Sequence, residues 1–343
     1  MAFHASAALS QSWPFERFVG VLDRLDRRSD QLMVALMYHR VDDWQRTPML
    51  DPGLVSAAPE EFERQIAYLA KSRPLLSLED MLEIRRGERS MPPGAVMVTF
   101  DDGYRDFLEV AWPVLQRYEV PATLFLPTSY PGAQERSYWW DRVHAALVST
   151  DRMELLETPA GRLELSTPTG RADARRAIRD WVWATPHDQA MAAVDELVAA
   201  LDGPALTSAV LDWGELRRLA AQGLAIAPQT LTHPMLNRMP PEHAHAEILG
   251  SAEDLTRELG SSPPAFAFPA GGYDDALVDW LRRSGFELAF TTERGGNDLR
   301  QGDWLKLRRV NIGCRSTLAL VRAQLLSRVA QPDSRALALL AHR

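Results

Sequence analysis

Cysteine is the scarcest chemistry in this chain: of 343 residues only Cys314 carries a thiol. That excludes an internal disulfide framework and fits a reducing compartment. No Lys/Arg run or basic stripe accompanies the formal net charge of -8, which argues against nucleic acid as a partner. No apolar run reaches the ~18 residues that suggest a membrane span. The N-terminal stretch MAFHASAALSQSWPFERFVG lacks both the basic region and the continuous apolar segment of a signal peptide, so a soluble cytoplasmic protein is expected. Low-complexity tracts and internal repeats are missing too. What remains, 46% hydrophobic and 24% charged, is an ordinary globular composition, long enough for one large α/β domain or two smaller ones.

Strand-like and helix-like patterns alternate along it. LMVALMYH (Leu32 to His39) is an apolar run of strand length. PEEFERQIAYLA has an acidic first turn and a plausible N1 proline, Pro59, and SLEDML begins with Ser77 as a cap three residues before Asp80. Strand AVMVTF, helix YRDFLEVAWPVLQRY and strand ATLFL follow. From about 137 to 205 the pattern turns helical, interrupted by one strand-like piece, GRLELST, and this reads as an insertion that does not fold separately. Alternation then resumes through LAIAPQ, AFAFP, ELAFTT and LKLRRVNI. Repeated β-then-α units imply a mainly parallel sheet or barrel covered by helices. The expected divisions are an N-terminal helical extension (1–30), the α/β body with its insertion (31–315), and a C-terminal helix and tail (316–343).

VMVTFDDGYRDF runs a strand into two adjacent carboxylates, Asp101 and Asp102, with Gly103 behind them. C-terminal strand ends converge on one mouth in a parallel α/β architecture, and chemistry collects there. One of the aspartates could simply cap the helix near Tyr104. Two neighbouring ones repel, so a cation or a shared proton accounts better for the pair. A second strand end, APQTLTHPML, places Gln229 and His233 before the rigid Pro234. A third, FAFPAGGYDD, offers Pro269 and two glycines that permit close backbone approach.

TFDDGY, QTLTHP and FAFPAGGY, in that order, resemble the motifs of the NodB-type polysaccharide deacetylases (carbohydrate esterase family 4) over roughly Leu32 to Gly313, and MYHRV at Met37 to Val41 resembles the opening of many bacterial members. The resemblance implies a distorted (β/α) barrel of about seven strands. It also implies one divalent metal, commonly zinc, and removal of N-acetyl groups from an amino-sugar glycan. Asp101 matches the catalytic base, Asp102 a metal ligand and His233 a metal-binding histidine. Metal binding lowers the pKa of bound water from about 16 towards 7, and the base completes its deprotonation during attack on the amide. The metal and a backbone N–H, such as that of Ala270, would stabilise the oxyanion.

Three departures from the family follow. Gln229 replaces the first metal-binding histidine, exchanging an imidazole nitrogen for a harder, weaker amide oxygen. The arginine that opens the third motif is absent, and Arg308 or Arg309 in KLRRVNI stands as its substitute or as part of a solvated strand edge. The C-terminal acid histidine is missing as well. His342 sits in a tail, so His39 at the first strand end is the candidate acid, with Asp42 or Asp43 to hold its proton; a backbone-bonded histidine is the alternative. His4 lies in the other tail, while His144, His187, His243 and His245 fall on or beside helices, the first and last two as surface residues. Tyr104, Pro269, Ala270, Trp139, Trp140 and Arg309 are the candidate substrate contacts; the two tryptophans could equally be buried anchors. A glycan-binding protein of the same fold without catalysis is the competing expectation.

Overall fold

The structure is a computed structural model that describes residues 32–326 apart from Glu154. The expected N-terminal extension with His4, and the tail with His342, lie outside the described residues. In chain order the strands are β1 (Leu32–Tyr38), β2 (Arg40–Val41), β3 (Val55–Ala57), β4 (Leu75–Leu76), β5 (Val96–Asp101) and β6 (Ala122–Leu126). They continue with β7 (Leu156–Thr158), β8 (Gly161–Leu163), β9 (Ala225–Pro228), β10 (Ala265–Ala267), β11 (Leu288–Phe290), β12 (Asn297–Asp298) and β13 (Arg309–Asn311). The main helices are α1 (Pro59–Ser72), α2 (Leu78–Arg86), α3 (Trp112–Arg117), α4 (Trp139–Ser149) and α5 (Pro168–Ala184). After these come α6 (His187–Ala200), α7 (Trp213–Ala221), α8 (Pro241–Leu259), α9 (Asp275–Arg283) and α10 (Leu318–Gln324).

β1, β5, β6 and β9 run parallel as neighbours, with β13 also parallel on β1, β4 on β5, and β12 antiparallel on β1. Their residues read as continuous apolar runs because both faces are covered. Val34, Leu36, Val98, Phe100, Leu124 and Ile226 pack against helical residues such as Phe62, Ile66, Leu115, Leu216 and Leu255. The alternate residues, Met33, Ala35, Met97, Phe125 and Ala227, form a second apolar cluster with Ala265, Ala267, Leu288, Phe290 and Leu307. That inner face therefore draws on β10 and β11 as well, which hydrogen-bond to each other, while Phe290 bridges to Leu307 just before β13. Among the described residues the sheet is not closed: no ladder joins β9 to β10. Pro228 ends β9 without an N–H to donate, and Pro263 and Pro264 precede the short β10. The helix expected from Tyr104 onward begins as a π-helical turn, Phe107–Ala111, and becomes α3. Pro113 lacks the N–H that would continue a regular ladder there.

The insertion carries α4, α5 and α6 around a core of its own, and GRLELST forms one arm of a β7–β8 hairpin. Its attachment to the sheet is polar and buried. Tyr138 Oη donates to the Asp102 carbonyl (2.7 Å), Trp140 Nε1 to Tyr104 Oη (2.7 Å), and Tyr104 Oη to Asp141 (2.7 Å). The Asp141 carboxylate also accepts the Asp51 N–H at 2.7 Å.

Burial pushes the Asp141 carboxyl up to about 7, against the hydrogen bonds from Tyr104 and Asp51 that favour its charged form. The unfolded chain then gives up this proton near pH 4 while the folded chain keeps it to about 7, so its contribution to stability is present below 4 and lost as pH rises through 7. The stability of wild type relative to Asp141→Asn should fall steadily between those limits when measured by urea denaturation. A difference independent of pH would show that the carboxyl ionises normally.

Candidate active site

The strand register sets the site. Asp101 is the last residue of β5, opposite Phe125 of β6, and follows Met97 and Thr99 on the inner face. Tyr38 pairs with Phe100, so the next residue of that chain, His39, comes level with Asp101. Gln229 follows Ala227 on the same face of β9. Asp102 and Gly103 then both take left-handed conformations (φ 74° and 69°), turning the chain sharply so that adjacent carboxylates point apart. Glycine suits position 103 on two counts: its φ is positive, and a Cβ there would lie 2.5 Å from Leu126 Cδ1, which would have to move.

Arg309, fully buried on β13, fixes Asp101. Its Nη1 donates to Oδ1 at 2.7 Å and its Nη2 to Oδ2 at 2.8 Å, a two-pronged ion pair. Nε holds the Thr291 carbonyl at 2.9 Å and Nη1 also reaches Thr99 Oγ1 at 3.3 Å. Of Arg308 and Arg309, it is Arg309 that the structure sets against Asp101. Gln229 lies between the two aspartates, Nε2 3.3 Å from Asp101 Oδ2 and Oε1 3.3 Å from the Asp102 N–H. The opposite amide orientation would turn its oxygen on the Asp101 carboxylate.

Asp102 lacks such support. Its Oδ1 is buried with no hydrogen-bond donor, and His233 Nε2 stands 3.4 Å away. Burial first, then the charges of Asp101 and Asp141, push the Asp102 carboxyl well above its usual range. Burial lowers His233 to about 4, so its imidazole is neutral at pH 7. An orphaned carboxylate oxygen facing a neutral imidazole, with an amide oxygen alongside, is a donor set that suits a divalent cation. Among the described residues no group of three or more His, Cys, Asp or Glu is placed to hold a metal.

The His233 loop is built with care. Thr230 and His233 are both left-handed (φ 72° and 62°), and His233 N–H donates to Thr230 Oγ1. Glu247 on α8 accepts from the N–H groups of Leu231 (2.9 Å) and Thr232 (2.8 Å) and from Thr232 Oγ1 (2.7 Å). Trp140 presents an edge to the imidazole at 4.9 Å.

His39, Asp101, Asp102, Gln229, His233, Trp139, Trp140 and Ala270 line one cavity of about 420 Å³, so the structure brings these sequence candidates together. Others lie elsewhere. Tyr104 is 1% exposed and its hydroxyl is occupied by Trp140 and Asp141, so it is a bolt beneath the cavity and no substrate contact. Pro269 and Arg309 are likewise buried, and Arg309 touches Asp101 instead of substrate. Asp42 does not hold His39: it pairs with buried Arg40 (2.9 Å) and accepts from Thr47, while Asp43 bonds the Gln45 N–H. Burial lowers the His39 pKa, the charge of Asp101 raises it and that of Arg309 lowers it further. His144 is buried, not on the surface, with Nε2 3.0 Å from the Pro48 carbonyl. His243 is exposed, and His245 stacks on Trp280.

Residues of the cavity that sequence reasoning passed over include Asp51, Arg175, Arg176, Arg179 and Trp183. In sequence, Arg175, Arg179 and Trp183 are only a polar-and-aromatic stripe at spacing four; nothing local says what it faces. Glu247, in the middle of a charged helix, gave no signal either.

A buried carboxylate locked by arginine, beside a second carboxylate, a neutral histidine and an amide at the strand ends of an α/β sheet, defines a class of strand-end hydrolytic centre. Residues 88–289 match the family model described as polysaccharide deacetylase, and the chain belongs to that family. It is similar to the poly-β-1,6-N-acetyl-D-glucosamine N-deacetylases of Escherichia coli K12 (29% identical over 119 residues, 34% of this chain and 15% of that protein) and of Staphylococcus epidermidis (32% over 111 residues, 29% and 37%). The matched segment is thus well under two thirds of either relative. In fold it is similar to the Streptococcus pyogenes deacetylase PplD solved with acetate, with a TM-score of 0.57, 18% identity, and coverage of 88% of this chain and 99% of that one.

Arg309→Gln should cost about 3–5 kcal/mol of stability, the scale of stranding one member of a buried ion pair. Adding Asp101→Asn should return part of that loss, and a double-mutant cycle by chemical denaturation measures it. Strictly additive effects would mean that the two side chains do not depend on each other.

Proposed function

We propose that the protein is a hydrolase that removes N-acetyl, or more broadly N-acyl, groups from an amino-sugar glycan. The observation that carries this reading is the division of labour between neighbouring aspartates: Asp101 held in a two-pronged grip by Arg309, Asp102 left with a bare oxygen towards His233. Family membership and the names of the relatives support it. We read the incomplete ring of strands as a barrel wall, with the cavity at the strands' C-terminal mouth.

A divalent ion, zinc first among the candidates, would be held by Asp102 and His233, with the Gln229 amide oxygen as third donor. When bound it supplies Lewis acidity at the acyl carbonyl and a more acidic water nucleophile. The chain's own residues do the rest. Asp101 takes the proton of the attacking water, and Arg309 keeps its carboxyl group oriented for the transfer. The backbone turn at Ala270 (φ 48°) faces the cavity where oxyanion charge develops. The departing amine leaves only when protonated, and His39, level with Asp101 across β1 and β5, gives it that proton. Trp139 and Trp140 wall the cavity on the insertion side, and Trp140 also restrains the His233 ring.

Asp102→Ala or His233→Ala should abolish divalent-metal binding in dialysis and elemental analysis, and Gln229→His should tighten zinc. Unchanged zinc affinity in Gln229→His would remove position 229 from the ligand set. Asp101→Asn should lower acetate release from N-acetylated oligosaccharides by about 100-fold or more with metal content intact.

His39 sets the pH profile of the same assay. Because its folded pKa is depressed, the basic limb of the rate profile should fall below the ordinary imidazole value of about 6.5. That limb should disappear in His39→Ala. A limb that persists there would place the acid on another group.

A further inference from the structure

The cavity has a wall that deacetylation does not require. Helix α5 buries Ala174, Ile178 and Val182, and the next stripe at the same spacing of four, Arg175, Arg179 and Trp183, lines the cavity together with Arg176. Arg175 is already committed, 2.6 Å from Asp51 and 3.4 Å from His144 Nδ1. Arg176 and Arg179 are held by Asp173 and Asp180, neighbours on their own helix that are more than half exposed and lie outside the cavity lining. Exposed pairs of this kind contribute little and exchange readily for a better partner. The Arg179 guanidinium also lies 4.9 Å from the centre of the Trp183 ring, which is 38% exposed. Two exchangeable donor forks and an open aromatic plate thus border the carboxylate centre. That centre does not offer them a partner, since Arg309 occupies Asp101 and Asp102 turns towards His233.

We propose that the glycan carries an anionic group, a carboxylate or a phosphate, beside the N-acyl sugar, and that Arg176 and Arg179 bind it while Trp183 receives a sugar face. This rests on the deacetylase reading and adds the substrate's charge to it. A guanidinium fork matches both anions two-pronged, and an indole offers a flat apolar surface to a ring. A neutral glycan would leave both forks with their exposed helix partners Asp173 and Asp180.

Three short oligosaccharides test it: a neutral N-acetylglucosamine oligomer, one alternating with a hexuronate, and one joined by phosphodiesters. Affinity for the full chain is read by stopped-flow tryptophan fluorescence before turnover, and acetate release is followed separately. One anionic oligomer should bind about tenfold or more tightly than the neutral one, the scale of an added charged hydrogen bond. The advantage should shrink in molar salt. It should vanish in Arg176→Gln/Arg179→Gln, with affinity for the neutral oligomer unchanged. Which anionic oligomer wins distinguishes carboxylate from phosphate. Equal affinity for all three, or a preference that survives the double substitution, would overturn the proposal. Failure to release acetate from any of them would count against the deacetylase reading alone, because the affinity comparison does not depend on turnover.

Discussion

The Arg309–Asp101 ion pair is the constraint on which the rest of the centre depends. A carboxylate this deeply buried on the inner face of β5 is costly without a compensating partner. Arg309 is that partner, reaching from β13, some two hundred residues away in sequence, and in doing so ties β13 to β5 across the intervening β1. Its remaining donor closes on the Thr291 carbonyl just beyond β11, so one side chain links three segments. Arg309 gives its hydrogen bonds to Asp101 and none to the neighbouring Asp102, whose Oδ1 is left towards His233. The difference between two chemically identical residues is therefore made by their surroundings.

The insertion is more than an appendage, because its polar attachments run directly under the site. Tyr138 holds the carbonyl of Asp102, Trp140 meets the His233 ring, and Asp141 fastens both Tyr104 and the Asp51 loop. The left-handed turn at Asp102 and Gly103, which gives the second carboxylate its direction, is consequently braced by Tyr138 at the start of α4. The same insertion brings α5 to the cavity. Site geometry and the shape of the cavity mouth are coupled through one element. A change in how α4 seats would alter the direction of Asp102 and the position of the arginine wall together.

Replacement of a histidine by Gln229 fits this economy. An imidazole can offer one free lone pair, whereas the amide both donates to Asp101 and accepts from the Asp102 N–H. Gln229 thus connects the two aspartates, and its amide oxygen keeps a second lone pair while doing so, which the single free nitrogen of a neutral imidazole would not. Glu247 in turn fixes the His233 loop through three hydrogen bonds.

By itself the sequence determined what is local. Apolar runs of strand length alternating with capped amphipathic helices specified an α/β chain, and the strand-end position of Asp101, Asp102, His39, Gln229 and His233 followed from where each apolar run stops. Side chains at C-terminal strand ends must meet, so these five were legible as one site. Decided only by the tertiary structure were the relations that no local pattern encodes. Arg309 reads equally as a partner of the site or a strand-edge residue until β13 is seen beside β1, and Tyr104 reads as a substrate contact until the insertion covers it. Asp42 reads as a partner for His39 until Arg40 turns inward and claims it. The stripe of Arg175, Arg179 and Trp183 reads as a solvated helix face until α5 is laid against the cavity. Each depends on a packing contact between segments far apart in the chain, and period and propensity do not specify such contacts.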